Sequence, residues 1–150
     1  MRTFIIVLGL LLSTTAQAAD ELRCLALNVY HEARNQSTEG KEAIAHVTIN
    51  RREADNYPNT ICANVYLNKR PGTRRCQFSW TCDRKSDLPT DIKEWVEAQN
   101  VAKYVYKFRT YLGVDPTMGA LWYHADYVKP IWRKKLTRLK KIDDHIFYVK

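Results

Sequence analysis

Apolar residues recur at three-and-four spacing over Leu22, Leu25, Ala26, Val29 and Ala33, which predicts a helix over residues 21–34 with one buried stripe. Ser37 or Thr38 can cap a second helix running to about Arg52, with Ala43, Ile44, Val47 and Arg51 on one face. Pro58 suits the first position of a third helix, Asn59 to about Leu67. A basic and polar loop then crosses from Asn68 to Pro89. Thr90 can cap a long helix from Asp91 to about Tyr111, with a stripe of Ile92, Trp95, Val96, Gln99, Ala102, Val105 and Tyr106, and Gly113 is placed to end it. Beyond Gly119 the period changes. Ala120–His124 and His145–Val149 are short aromatic and β-branched runs that read as two strands, and Tyr127–Lys141 reads as a loop and a short basic helix starting at Pro130. The expected class is α+β, mainly helical, with a small antiparallel sheet.

Residues 1–18 modify this picture at one end. A basic start at Arg2, the apolar run Phe4–Leu12 and the small-x-small site Ala16-Gln17-Ala18 read as a signal peptide cut after Ala18. The apolar run falls well short of the roughly 20 residues that span a bilayer, so cleavage is preferred over an uncleaved, tethered form. Export to the periplasm or beyond is expected. Residues 19–150 contain no linker and no repeat and are expected to form one catalytic domain.

Export gives the four cysteines, Cys24, Cys62, Cys76 and Cys82, an oxidising compartment, where two disulfides are the default. Three connectivities exist; Cys76 with Cys82 and Cys24 with Cys62 is preferred because the first pair flanks a short loop. No Cys-x-x-Cys pair is present, so structural zinc is not expected. The formal net charge is +8, concentrated in Lys69-Arg70, Arg74-Arg75 and Arg133-Lys134-Lys135, Arg138, Lys140-Lys141. Anionic cell-envelope polymers, including the carboxylates of peptidoglycan stems, are the expected partners; nucleic acid is not expected. A solvated basic face is the competing reading.

Candidate chemistry centres on Glu32, three residues after Val29 and seven after Leu25, which places it along the buried stripe. A carboxylate there loses hydration, its charged form is disfavoured, and its pKa rises toward the range of a proton donor near neutral pH. The competing reading is a helix-end carboxylate bonded to Arg34, Arg51 or backbone amides.

Six motifs in one order then make the sequence specific: Glu32-Ala33-Arg34; Glu39-Gly40-Lys41-Glu42-Ala43-Ile44-Ala45-His46-Val47 running to Asn50-Arg51; Tyr57-Pro58-x-Thr60-Ile61-Cys62; Cys76-Gln77-Phe78-Ser79-Trp80-x-Cys82-Asp83; Ala120-x-x-Tyr123-His124; and Lys141-Ile142-x-Asp144-His145-Ile146-Phe147-Tyr148. In these, from Leu25 to Phe147, the chain resembles the cell-wall hydrolases of the spore-cortex lytic enzyme type, the SleB/CwlJ-like enzymes of bacteria and their phages. Two departures stand out. The family pattern usually reads Glu-Ala-Arg-Gly-Glu where Asn35 and Gln36 stand here, and Asp143 replaces the glycine usual in Ile-Gly-x-His. Gln36 is no carboxylic acid, so the family's acid maps to Glu32.

The resemblance implies a lysozyme-like, lytic-transglycosylase-type domain, without cofactor or metal and expected as a monomer, acting on the β-1,4 link between N-acetylmuramic acid and N-acetylglucosamine. A lytic transglycosylase needs one carboxyl group, whereas hydrolysis needs two. Glu39, Glu42, Asp83 and Asp126 are the candidates for a second. Sugar rings present apolar faces to aromatic rings and hydroxyls to polar groups. Gln77-Phe78-Ser79-Trp80 supplies both kinds, and Tyr123, His124 and Tyr148 are candidates for the opposite wall. His31 and His124 are candidates for orienting substrate or Glu32. Three alternatives compete: a hydrolytic muramidase, a zinc-dependent N-acetylmuramoyl-L-alanine amidase using His31-Glu32 with His46, His124 or His145, and a cationic wall- or nucleic-acid-binding protein without catalysis.

Overall fold

The computed structural model describes the backbone of residues 3–73 and 75–150, with side chains for 16–73, 75–109 and 113–150. Arg2, Arg74 and the side chains of Phe4–Leu12 therefore lie outside the described residues. The first helix, α1, spans Thr3–Ala33 rather than starting near residue 21. No proline and only Gly9 interrupt that stretch, so the helix runs through the predicted cleavage point. Nor does α1 bury a single stripe: every residue from Cys24 to Tyr30 is buried, because other elements enclose it.

Helix α2, Thr38–Glu53, packs on α1 with Ser37 as its cap, and it buries Ala43, Ile44, Val47 and Arg51 as their spacing predicts. The short α3, Ile61–Val65, is capped by Thr60, so Pro58 precedes the cap instead of opening the helix. Asn64 Nδ2 donates to the Thr60 carbonyl at 2.8 Å and also to the Pro58 carbonyl, tying that approach down in an extended form. Helix α4, Ile92–Leu112, is capped by Asp91 and ended by Gly113 in the left-handed conformation. Thr90, expected as the cap, lies one residue before it, where its N–H and that of Asp91 donate to the Tyr30 hydroxyl.

The buried face of α4 differs from its expected stripe. Ala98, Val101, Ala102 and Val105 are buried while Ile92 and Val96 are exposed. On the same side of α4, the buried Lys41 ammonium pairs with Glu94 at 2.8 Å and Glu97 at 3.0 Å, so that face meets α2 through ion pairs as well as apolar contacts.

The sheet has three antiparallel strands, β1 (Trp122–Ala125), β2 (Thr137–Ile142) and β3 (His145–Val149), in the order β1-β3-β2. Strand β2 replaces part of the expected loop and basic helix, which is reduced to a 3₁₀ turn over Ile131–Lys135. A bulge between Arg138 and Lys140 breaks the alternation of two and leaves Leu139 and Ile142 as the inward residues, a spacing that imitates a helix.

Two apolar clusters result. The larger joins α1, α2, α3 and α4 with Phe78 and Trp80; the smaller joins Ala33, Ala43, Ile44 and Val47 to Ala120, Ile142 and Phe147 of the sheet region. Tyr123 packs against both. Disulfides connect Cys24 to Cys62, pinning α3 to α1, and Cys76 to Cys82, closing the loop before and through a 3₁₀ turn at Ser79–Cys82. The turns at Gln36-Ser37 and Asp143-Asp144 also meet. Ser37 donates to Asp143 Oδ2 from its N–H at 2.8 Å and its hydroxyl at 2.7 Å, and Gln36 bonds both the Asp144 carboxylate and its N–H.

Candidate active site

Glu32 occupies the last turn of α1, at the seam between the two clusters. It is half-buried on one wall of a cavity of about 470 Å³. The Tyr123 hydroxyl, reaching across from β1, donates to Glu32 Oε2 at 2.9 Å. Burial pushes the Glu32 carboxyl above its ordinary value, against the lowering pull of the Tyr123 hydroxyl and the Arg51 charge. The Tyr123 phenol is itself pushed well up, first by burial and then by the facing carboxylate, so it remains a donor. Arg34 turns away to Tyr30, its Nη1 lying 3.3 Å from that hydroxyl. Of the helix-end partners expected for Glu32, Arg34 is bonded elsewhere, while the Arg51 charge does act on the carboxyl.

Arg51 also lines the cavity. Its Nε donates to the Leu121 carbonyl at 2.7 Å, and the guanidinium sits over the Tyr57 and Phe78 rings. Its buried Nη1 makes no close hydrogen bond among the described residues. Sequence reasoning had placed Arg51 on a buried stripe; that an arginine in such a stripe needs a carboxylate or a ligand was the signal for its role.

The Gln77–Ser79 segment forms the opposite wall with Cys76, and Tyr123 and His124 close the sheet side. Trp80 lies beneath rather than on this wall. It is buried, donates from its indole N–H to Asn28 Oδ1 at 3.3 Å and stacks on His31 at 4.3 Å. Asn28 in turn donates to Thr48 at 3.0 Å, so one buried amide ties α1, α2 and the loop together one turn before Glu32. Tyr148 is buried outside the cavity, with its hydroxyl 3.0 Å from His124 Nε2. Because a carbonyl oxygen only accepts, His124 Nδ1, 2.8 Å from the Ala125 carbonyl, is the donor in that contact. Sequence reasoning missed Tyr127, exposed at the mouth, and Val128, and considered His145, whose ring meets Tyr123 edge-on at 5.2 Å, only as a metal ligand.

The remaining carboxylates stand elsewhere. Glu39 pairs with Lys140, Asp126 pairs with Lys141, Asp83 accepts from the Lys85 N–H, and Glu42 lines a separate cleft with His46. Among the described residues lining the cavity, Glu32 is the only carboxylic acid.

Residues 35–148 match the Cell Wall Hydrolase family. The chain belongs to that family, of the SleB/CwlJ-like type. This cell wall hydrolase is similar to the catalytic domain of the Bacillus cereus SleB protein, with 26% identity and a TM-score of 0.63 over 87% of this chain and 91% of that one. It shares its fold with the catalytic domain of the germination-specific lytic transglycosylase SleB from Bacillus anthracis, at 24% identity and a TM-score of 0.60 over 86% and 93% of the two chains. No curated protein matches it significantly. The family match begins just after Glu32 and includes both departures from the family pattern. Those departures, Gln36 and Asp143, lie in the two bonded turns and outside the cavity lining. Asp143 holds a φ of 46°, which explains why glycine is usual there and why aspartate, tolerant of that conformation, can replace it.

Proposed function

We propose that the protein is an exported lytic transglycosylase that cleaves the β-1,4 bond between N-acetylmuramic acid and N-acetylglucosamine, with Glu32 as both acid and base. The observation that carries this reading is the cavity's single carboxyl group, raised in pKa by burial and fixed by Tyr123. Protonated Glu32 gives its proton to the glycosidic oxygen as the bond from the muramic acid C1 breaks. The resulting carboxylate is steadied by the Tyr123 hydroxyl and the Arg51 charge. It then takes the proton of the sugar's own 6-hydroxyl as that oxygen closes on C1, giving a 1,6-anhydro ring and returning Glu32 to its starting form. Gln77 and Ser79 are polar contacts for the glycan and the exposed Tyr127 is its aromatic one, with Phe78 supporting that wall from the core.

Hydrolysis would need a second carboxyl group about 5–5.5 Å away for retention or about 6.5–9.5 Å for inversion. The separate placement of Glu39, Glu42, Asp83 and Asp126 favours the one-carboxyl route. An amidase would need ligands converging on one point, and the described residues contain no group of three or more His, Cys, Asp or Glu arranged to hold a metal ion.

Mass spectrometry of peptidoglycan digests tests the proposal. Anhydro-muropeptides from the native protein and none from Glu32→Gln are expected. Reducing-end sugars would replace the reading with hydrolysis, free stem peptides with amidase action, and an absence of products with binding alone.

A further inference from the structure

A second cavity, of about 300 Å³, lies beyond β1 from the Glu32 cavity and shares His124 and Val128 with it. Its charged lining is Lys129, Arg133, Arg138 and Asp126. Asp126 is already committed to Lys141 at 2.6 Å. The other three make no ion pair among the described residues, and Arg133 Nε is buried without a hydrogen bond. Three cations with one neutralised acid make this cavity a site for an anion. Its shared wall is firmly built: His124 stacks on Tyr148 at 5.3 Å, and Trp132 meets both rings edge-on.

We propose that this cavity binds a carboxylate of the peptide stem carried by the glycan strand in the Glu32 cavity. The inference rests on the glycan-cleaving reading above. The two cavities share His124 and Val128, so a stem of a few residues, at about 3.3 Å each, leaving a strand in the first cavity has the length to cross one strand's width into the second. An anionic polymer not attached to the glycan has no reason to be held beside that wall. The phosphate of such a polymer offers similar chemistry to Arg133, so the two sources are separated by experiment.

Cleavage rates are measured on glycan strands bearing stems and on the same strands stripped by an amidase, using the native protein, Arg133→Ala, and the exposed pair Lys129→Ala with Arg138→Ala. The native protein should show a KM about tenfold lower on stem-bearing strands, and both variants should lose that advantage while cutting stripped strands at the native rate. Equal native KM values on the two substrates, or equal losses on both in the variants, would overturn the inference and leave the transglycosylase reading standing. If neither substrate is cut, that reading fails, and the inference is judged by titrating the free stem peptide against the native chain by NMR. Shifts confined to the Lys129, Arg133 and Arg138 region, and absent in the variants, would support it; no shift, or equal shifts with inorganic phosphate, would overturn it.

Discussion

The two apolar clusters are built from different materials and do different things. The larger one surrounds a continuous helix, includes four elements and carries the Cys24–Cys62 disulfide across its edge. The smaller joins two helices to a three-stranded sheet by a handful of side chains centred on Phe147. Glu32 is anchored by the first and its partner Tyr123 belongs to a strand of the second. Stability thus comes mainly from one region while the acid's geometry depends on how the other sits against it.

Glu32→Gln gives the largest expected effect on activity, a loss of at least about 10²–10⁴-fold in strand cleavage with the fold retained. Its effect on stability has a defined sign. Because the folded-state pKa is raised, the folded protein holds the proton through the window above the ordinary glutamate range, and native stability falls as pH rises through it. Thermal melts should therefore show Glu32→Gln gaining on the native protein from acid toward neutral pH; a constant difference would contradict the raised pKa.

Phe147→Ala should cost about 3–5 kcal/mol in denaturant unfolding and lower activity further than a similarly destabilising change in the larger cluster, Leu25→Ala. Equal activity losses at equal stability would dissolve the contrast between the clusters. Removing the Cys24–Cys62 bridge should cost about 2–5 kcal/mol, and removing the Cys76–Cys82 bridge less, since it closes a much shorter loop. The short bridge holds the wall carrying Gln77, so its loss should raise KM more than it lowers the melting point. Tyr123→Phe is the mildest change, lowering kcat about tenfold. Its hydroxyl lowers the Glu32 pKa, so its removal should move the alkaline limb of the pH–rate profile to higher pH, a shift that simple misfolding would not produce.

Local chemistry made much of this legible. The Ser37 cap, the Gly113 stop, the strands around Tyr123 and Phe147 and the position of Glu32 on an inward face all follow from spacing and residue type, which act within a few residues. Strand β2 was not legible because its bulge disguises the strand period. The face of α4 was not either, since its Glu94 and Glu97 meet a buried lysine of another helix, a partner that its own apolar spacing does not reveal. Trp80 and Tyr148 could not be placed by type, because an aromatic ring suits a core and a cleft equally well.

The sequence by itself determined which residues could do chemistry: one glutamate on a buried stripe, a polar and aromatic loop between cysteines, and a basic C-terminal segment. Only the tertiary structure decided which of them meet. Tyr123 reaches Glu32 across 91 positions of chain, Arg51 comes to lie over the Tyr57 and Phe78 rings beside them, and the other candidate carboxylates meet partners elsewhere. Such pairings arise from the packing of whole elements, which no local pattern encodes.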